Sequence, residues 1–547
     1  MKKMPKQKVQ QLIRDNPHLA EALKKIKKEF GKLPVFYEEL SLDMLGQREY
    51  NIIYPVSSVL FVHAYKLIGD EPKYNVIEPK LTAQEEKLYE YILTKITQIA
   101  PKFYDKKKSH FQNLLTMAKE TVKFQKQSAF QNFIDKYFTE ETKPVISKKT
   151  FDKIMYFIKK NILGYSIIET LFDDPYIEDI SGGMSGIFIV HKIFGNIKTE
   201  IRFETEDELD EYLFLLGDKM DKKVSMAEPI IEGATPDGSR IAILYGKDVS
   251  RRGSSFTLRK FEEHPLSIID LVRENTMSSE EAAYFWLCLE HGMSGFICGE
   301  TACGKTTTLR ALTAFIRPNL KVYSVEETPE MYLPHPNWER TLTQEGRATM
   351  FDLLKAALRS RPNYIIVGEI RGREGNVAFQ AMQTGHPVLS TFHASSIGRV
   401  IQRITGDPIN VPLAFINNLN FVGIMRSVEK EGSFVRRFVS IHEIEGYYEE
   451  EGILTREVFT WDPETDRHLF RGLYNSYILE EKVATLRGLV EKRDIYKEML
   501  FRKAVIDEMV KRNITGYHDV WEVIQKYMIK GKEGLPFFVE PGKWETI

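Results

Sequence analysis

Gly299-Glu300-Thr301-Ala302-Cys303-Gly304-Lys305-Thr306 is the stretch on which the reading of this chain turns. It follows the pattern G-x-x-x-x-G-K-[ST], and it sits between a short apolar run at 295–298 and a helix-like segment at 305–316. Glycines let backbone N–H groups turn inward around an anion, and a helix start adds its partial positive charge. In such a loop the lysine, here Lys305, reaches the terminal phosphates of a nucleotide, and the hydroxyl of Thr306 ligates Mg²⁺. The cradle extends from Gly299 through Thr307.

Working outward, the chain from 266 alternates between strand-like and helix-like segments. Strands are predicted at 295–298, 321–326, 364–367 and 388–391. Helices are predicted at 279–290, capped by Ser279, and at 349–359 and 374–384. Alternation of this kind argues for a parallel sheet covered by helices, with ligands at the C-terminal strand ends. Carboxylates stand at two of those ends. The strand at 364–367 runs into Gly368-Glu369-Ile370-Arg371, which places Glu369 beside the Mg²⁺ and its waters. Val325-Glu326-Glu327-Thr328-Pro329-Glu330 gathers three more, of which Glu327 is the expected group that orients or deprotonates an attacking water. His386 and His393 flank the strand at 388–391, and an imidazole there donates to the terminal phosphate and senses its loss.

Upstream, 146–264 reads as a small α+β domain, with strand-like runs at 187–190, 197–203, 239–245 and 254–259 and a helix at 206–218. Glu263-His264-Pro265 suits a linker. The first 145 residues read as a helix-rich docking domain, with one amphipathic helix at 8–30 bearing Lys24, Lys25, Lys27 and Lys28, strand-like runs at 57–63 and 74–77, and helices at 82–99 and 107–137. A further helix is predicted at 148–171. The last 70 residues are again mostly helical, 476–510 above all. The expected division is therefore 1–145, 146–264 and 265–547.

The 547 residues are 43% hydrophobic and 28% charged, which excludes a disordered or collagen-like chain. A net charge of −1, from 76 basic and 77 acidic residues, supplies no global field toward nucleic acid, and no nucleic-acid partner is expected. Three cysteines, Cys288, Cys298 and Cys303, make neither a disulfide framework nor a structural zinc site and fit a reducing compartment. The three thiols read as buried or incidental small hydrophobes, although the place of Cys303 near a helix start is one that can lower a thiol pKa. No apolar run approaches the length that spans a bilayer, and no signal-peptide pattern opens the chain, so a cytoplasmic location is expected.

The loop, the acidic box, the Gly368-Glu369-Ile370-Arg371 strand and the Gly385-His386 to Thr391-Phe392-His393 box occur in that order, and together they resemble the secretion-ATPase superfamily, the motors of type II secretion, type IV pilus assembly and the archaellum. Residues 251–261 and Phe459-Thr460-Trp461-Asp462-Pro463 look like the archaeal branch. The resemblance covers about 146–470. It implies a RecA-like P-loop ATPase core, bound ATP and Mg²⁺, a homo-hexamer, and docking to a polytopic membrane platform protein at the inner face of the cell membrane. It also implies that arginines of the preceding domain complete the nucleotide site, and Arg240 and Arg259 occupy the matching positions. The rival readings are an archaellum motor of the same chemistry, a non-catalytic nucleotide-gated scaffold and a nucleic-acid translocase. Three departures stand out: Glu327 where Asp is common, Cys303 where Ser or Gly is commoner, and Gly372 where many relatives carry Asp.

Overall fold

Apolar runs rich in β-branched and aromatic residues pair as parallel strands when both faces of a sheet are covered. The computed structural model describes residues 2–40, 44, 47, 49–103, 110–124, 143–261, 265–301, 303–344, 346–430 and 433–540. The chain divides into two compact units, Met1–Lys260 and Phe261–Ile547.

The second unit is built on a nine-stranded sheet. Its spatial order is Trp338–Leu342, Val322–Glu326, Tyr364–Glu369, Val388–Phe392, Gly295–Gly299, Phe421–Lys430, Ser433–Tyr448, Gly452–Asp462 and Arg467–Phe470. The first six strands are parallel, and the last three continue as an antiparallel meander. The strand leading into the glycine-rich loop is separated from the strand ending at Glu369 by one inserted strand, the order of a RecA-like core. Strands Val322–Glu326, Gly295–Gly299 and Val388–Phe392 are buried at every position. Their side chains alternate between two cores: Phe296 and Cys298 enter one, and Ile297 enters the other.

The helix Ser279–Glu290 is capped one residue earlier than expected. Ser278 Oγ accepts the Glu281 N–H at 3.1 Å, and the Glu281 carboxylate accepts the Ser278 N–H at 2.7 Å. A reciprocal box satisfies two orphan donors at once, which Ser279 as cap does not achieve here. The region expected to be mostly helical over 476–510 is helical in several pieces. A π-helical stretch Ile478–Val483 runs on into the short α-helix Ala484–Leu486, Gly488 with φ of +66° stops it, and Ile495–Lys511 follows.

The first unit is organised by an eleven-stranded sheet that runs across the expected division at 145/146. Strands Tyr50–Pro55, Phe61–Lys66 and Lys73–Ile77 continue directly into Gly195–Thr199, Gly186–His191 and Ile177–Gly183, through a parallel pairing of Lys73 with Lys198. Unpaired edges are costly, and each segment covers the other's edge. The helix expected over 8–30 is two helices, Lys6–Asp15 and Pro17–Phe30, because Pro17 cannot donate to the preceding turn and instead opens the second helix. The helix expected over 148–171 is α-helical over Lys148–Ile158, then widens into a π turn at Lys159–Leu163 and passes through a 3-10 turn at Ser166–Ile168 before Glu169–Phe172. Of the segment expected as a helix over 107–137, His110–Thr121 is helical, and 107–109 and 125–137 lie outside the described residues. The linker residues Glu263 and His264 also lie outside them.

A buried carboxylate fastens the strands on either side of that division. Asp174 is fully buried, and its Oδ2 accepts the hydroxyls of Tyr54 and Tyr74, each at 2.6 Å. Its Oδ1 accepts the Tyr176 N–H at 2.8 Å. The Nδ1 of His191 accepts the N–H groups of Ile193 and Phe194, so its proton sits on Nε2, which donates to the Tyr54 oxygen 3.3 Å away. Burial holds this imidazole neutral by lowering its pKa to about 3. Asp174→Ala strands three buried donors and is expected to lower the stability of this unit by about 3 kcal/mol, against about 1 kcal/mol for Tyr74→Phe. Urea unfolding of the two variants checks the ratio.

Candidate functional site

The glycine-rich loop, Glu327, Glu369, Arg371 and His393 stand at the C-terminal ends of the parallel strands. Gly299 ends one strand with φ +155°, and a Cβ there would meet the Met425 carbonyl oxygen and Cys303 Sγ, both at 2.5 Å. Gly304, φ +90°, precedes the helix Lys305–Leu312, whose start has no side-chain cap. Its first N–H groups are left for an anion. Lys305 is 8% exposed, and its Nζ donates to the carbonyls of Gly299 at 3.1 Å and Glu300 at 2.7 Å. The ammonium ties the two ends of the loop together. Thr306 and Thr307 follow in the first helical turn, Glu300 and Thr301 are exposed in the loop, and Ala302 lies outside the described residues.

Glu369 closes the strand Tyr364–Glu369 after a bulge that pairs it with Thr391. Arg371 NH2 donates to its Oε2 at 2.7 Å, and His393 Nε2 lies 3.0 Å from its Oε1. That Oε1 is buried without a hydrogen-bond partner. A carboxylate oxygen so placed fits a hard cation with oxygen ligands, and Mg²⁺ is of that class. Arg371 NH1 also reaches Glu327 Oε2 at 3.5 Å, so the two carboxylates singled out from the sequence share one guanidinium.

The acidic box divides its labour. Glu326 is 1% exposed, and its Oε2 accepts the N–H groups of Glu330 and Met331, each at 2.7 Å. Its Oε1 lies 3.4 Å from Arg340 Nε and accepts the Ser324 hydroxyl. Burial pushes its pKa up, against those donors and Arg340. Glu326 therefore shapes the loop, and the Glu327 side chain, 58% exposed, faces outward.

The two histidines are not brought together. His393 follows the C-terminal end of Val388–Phe392, beside Glu369, and its pKa is lowered by burial first and then by Lys305, with Glu369 opposing. His386 precedes the N-terminal end of that strand, its Nδ1 3.1 Å from the Thr384 hydroxyl. At about 3.3 Å per residue it is roughly 20 Å from His393, too far to serve the same phosphate within one chain. The helix start beside Cys303 does not lower its thiol pKa. The residue is buried, and burial raises its thiol pKa more than Lys305 and the nearby N–H groups lower it.

Arg240 and Arg259 lie in the first unit, directly opposite each other on paired strands. Arg259 makes a two-pronged contact with Asp179, Nε to Oδ1 at 2.7 Å and NH2 to Oδ2 at 3.1 Å. Arg240 leaves a turn at Pro236-Asp237-Gly238-Ser239 in which Asp237 accepts the hydroxyls of Tyr165 and Ser239, and Gly238 has φ +92°.

The sequence reading missed one residue entirely and left another without a role. Arg436, on the meander strand Ser433–Tyr448, lies over the glycine-rich loop, since a Cβ at Gly304 would stand 3.0 Å from its Cδ. Its signal, a basic pair early in a strand that follows the core, has no fixed spacing from the loop. Arg371 was in view, but only its structure reveals that it touches both carboxylates.

Fold and site together define a RecA-like P-loop protein. The family model described as Type II/IV secretion system protein matches residues 163–411. An uncharacterized protein of Methanocaldococcus jannaschii is 47% identical over 546 residues, covering 98% of this chain and 99% of its own. The protein VirB11 of Agrobacterium fabrum is 27% identical over 266 residues, which is 43% of this chain and 77% of that one. Among solved structures, the ATPase DotB of Legionella pneumophila overlaps 70% of this chain and 93% of its own at 17% identity, with a TM-score of 0.39, a likeness too slight to bear on the fold. The chain belongs to the type II/IV secretion system ATPase family. Among the described residues no helix is long and apolar enough to cross a membrane.

Proposed function

We propose that this protein hydrolyses ATP as a homo-hexameric motor at the inner face of the cell membrane, powering secretion or assembly of a pilus-like filament through a polytopic membrane platform protein. The observation that carries the reading is the convergence of Glu369, Arg371, Glu327 and His393 beyond the strand ends, with the Lys305 charge acting on His393. A nucleotide-gated scaffold needs only the loop; a water-orienting carboxylate linked to a metal-facing one serves hydrolysis.

Loop N–H groups and Lys305 hold the β- and γ-phosphates. Thr306 and Glu369 are the residues that would hold Mg²⁺, which when bound neutralises charge on the phosphate oxygens. Glu327 accepts a proton from the attacking water, the new P–O bond forms at the γ-phosphorus, and the bond to the ADP oxygen breaks. His393 donates to the terminal phosphate. Arg240 and Arg259 supply charge that stabilises the transferring group.

The test is ATP turnover of the purified full chain, with oligomer mass from light scattering on the same samples. Turnover per subunit is expected to rise at least tenfold as the ring forms, since a completing arginine is worth that and more. Tight ATP binding without turnover in the assembled state would replace the motor with the scaffold.

A further inference from the structure

In an extended backbone, residues two apart project to the same side, so Glu369 and Arg371 share a face while Ile370 between them is buried. The loop after them is tied down by one carboxylate. Glu374 Oε1 accepts the N–H groups of both Arg371 and Gly372, each at 2.6 Å. A Cβ at Gly372 would stand 3.0 Å from Glu374 Oε2. Glycine at 372, the departure from the family pattern, thus gives Glu374 room to fold back over these amides. The backbone at Arg371 is fixed, although its side chain is 60% exposed.

From this fixed point the guanidinium spans two elements. It holds Glu369 Oε2 at 2.7 Å and Glu327 Oε2, on the loop after Val322–Glu326, at 3.5 Å. It does not touch Glu369 Oε1, which faces His393 Nε2 at 3.0 Å. Arginine and metal would therefore use different oxygens of one carboxylate and do not compete. We propose that Arg371 is a positioning residue for hydrolysis: it holds Glu327, the water-orienting carboxylate, at a set distance from the metal-facing Glu369, and cancels the repulsion that would otherwise drive the two apart. The inference rests on the ATPase reading above. A latch that must break before catalysis would occupy Oε1, and this contact does not. Only a planar fork spans both carboxylates, so lysine is an incomplete substitute.

The experiment is a double-mutant cycle on the full chain, reading kcat for ATP and the Kd for ADP. Arg371→Ala is expected to lower kcat about 50-fold, within the roughly 10²-fold that an ångström of misplacement costs, with the Kd for ADP changed less than about threefold. Arg371→Lys should recover part of that loss, which also covers an alanine variant that folds poorly. In the Glu327→Gln background Arg371→Ala should cost less than about threefold, because the group it positions is already disabled. An equal loss in both backgrounds overturns the proposal, as does an unchanged or raised kcat. So does a loss of ADP affinity matching the loss of kcat, which would make the arginine a binding or structural group. Wild-type turnover that does not depend on Lys305 would instead remove the ATPase reading beneath it.

Discussion

Lys305→Ala is expected to bring ATP turnover to background, a loss of at least about 10³-fold. An ammonium has three donors. Two are committed here, to Gly299 O and Glu300 O, and the third remains for a phosphate oxygen. Alanine therefore removes a charge from the phosphates and also unties the loop that presents the N–H groups. Helix Lys305–Leu312 itself should survive, since alanine is the best helix former. Lys305→Arg is expected to fail almost as badly, because the niche is 8% exposed and shaped for a compact ammonium rather than a planar fork. Phosphate release at saturating Mg²⁺ and ATP measures both variants. A wild-type rate in Lys305→Ala would dissociate the loop from the reaction, whatever else the strand ends do.

How much of this was legible depended on whether the signal was local. The parallel core could be read because its strands are short, wholly buried and bounded by Gly, Pro and charge, and the predicted strands at 321–326 and 388–391 lie within a residue of Val322–Glu326 and Val388–Phe392. The meander from Phe421 to Phe470 could not, because its long strands mix exposed charge with buried positions and follow no fixed spacing. The joined sheet of the first unit was hidden for a different reason. Lys73 and Lys198 pair across more than a hundred residues, and nothing in either segment names the other. Within the site, Glu327 was separable from Glu326 only as a preference, because the burial of Glu326 and its two amide donors depend on where the chain folds back at Glu330 and Met331. His386 stands at the opposite end of the strand from His393, a separation that adjacency to a strand does not reveal.

Glu369→Gln should uncouple binding from hydrolysis. The amide is nearly isosteric, and its oxygen can still accept from Arg371 NH2, so the strand end and the loop at Glu374 keep their geometry. The charge opposite the cation site is lost, along with the acceptor character of one oxygen if the NH₂ group turns inward. A turnover loss of about 10²–10³-fold is expected, with ATP affinity within about threefold of wild type, because loop N–H groups and Lys305 carry most of the phosphate contact. The variant should then accumulate with ATP bound, which filter binding of labelled nucleotide reads directly. His393 supplies the internal control. Its pKa is lowered first by burial and by Lys305, and Glu369 is the group that opposes this. Neutralising Glu369 must lower it further, so the imidazole should lose its proton at a lower pH in the variant. An NMR titration of His393 that does not move would mean that Glu369 does not face it in solution. ATP affinity falling as steeply as turnover would mean that Glu369 holds the loop rather than serving the reaction. Only the combination of kept affinity, lost turnover and a shifted imidazole supports the metal-facing role.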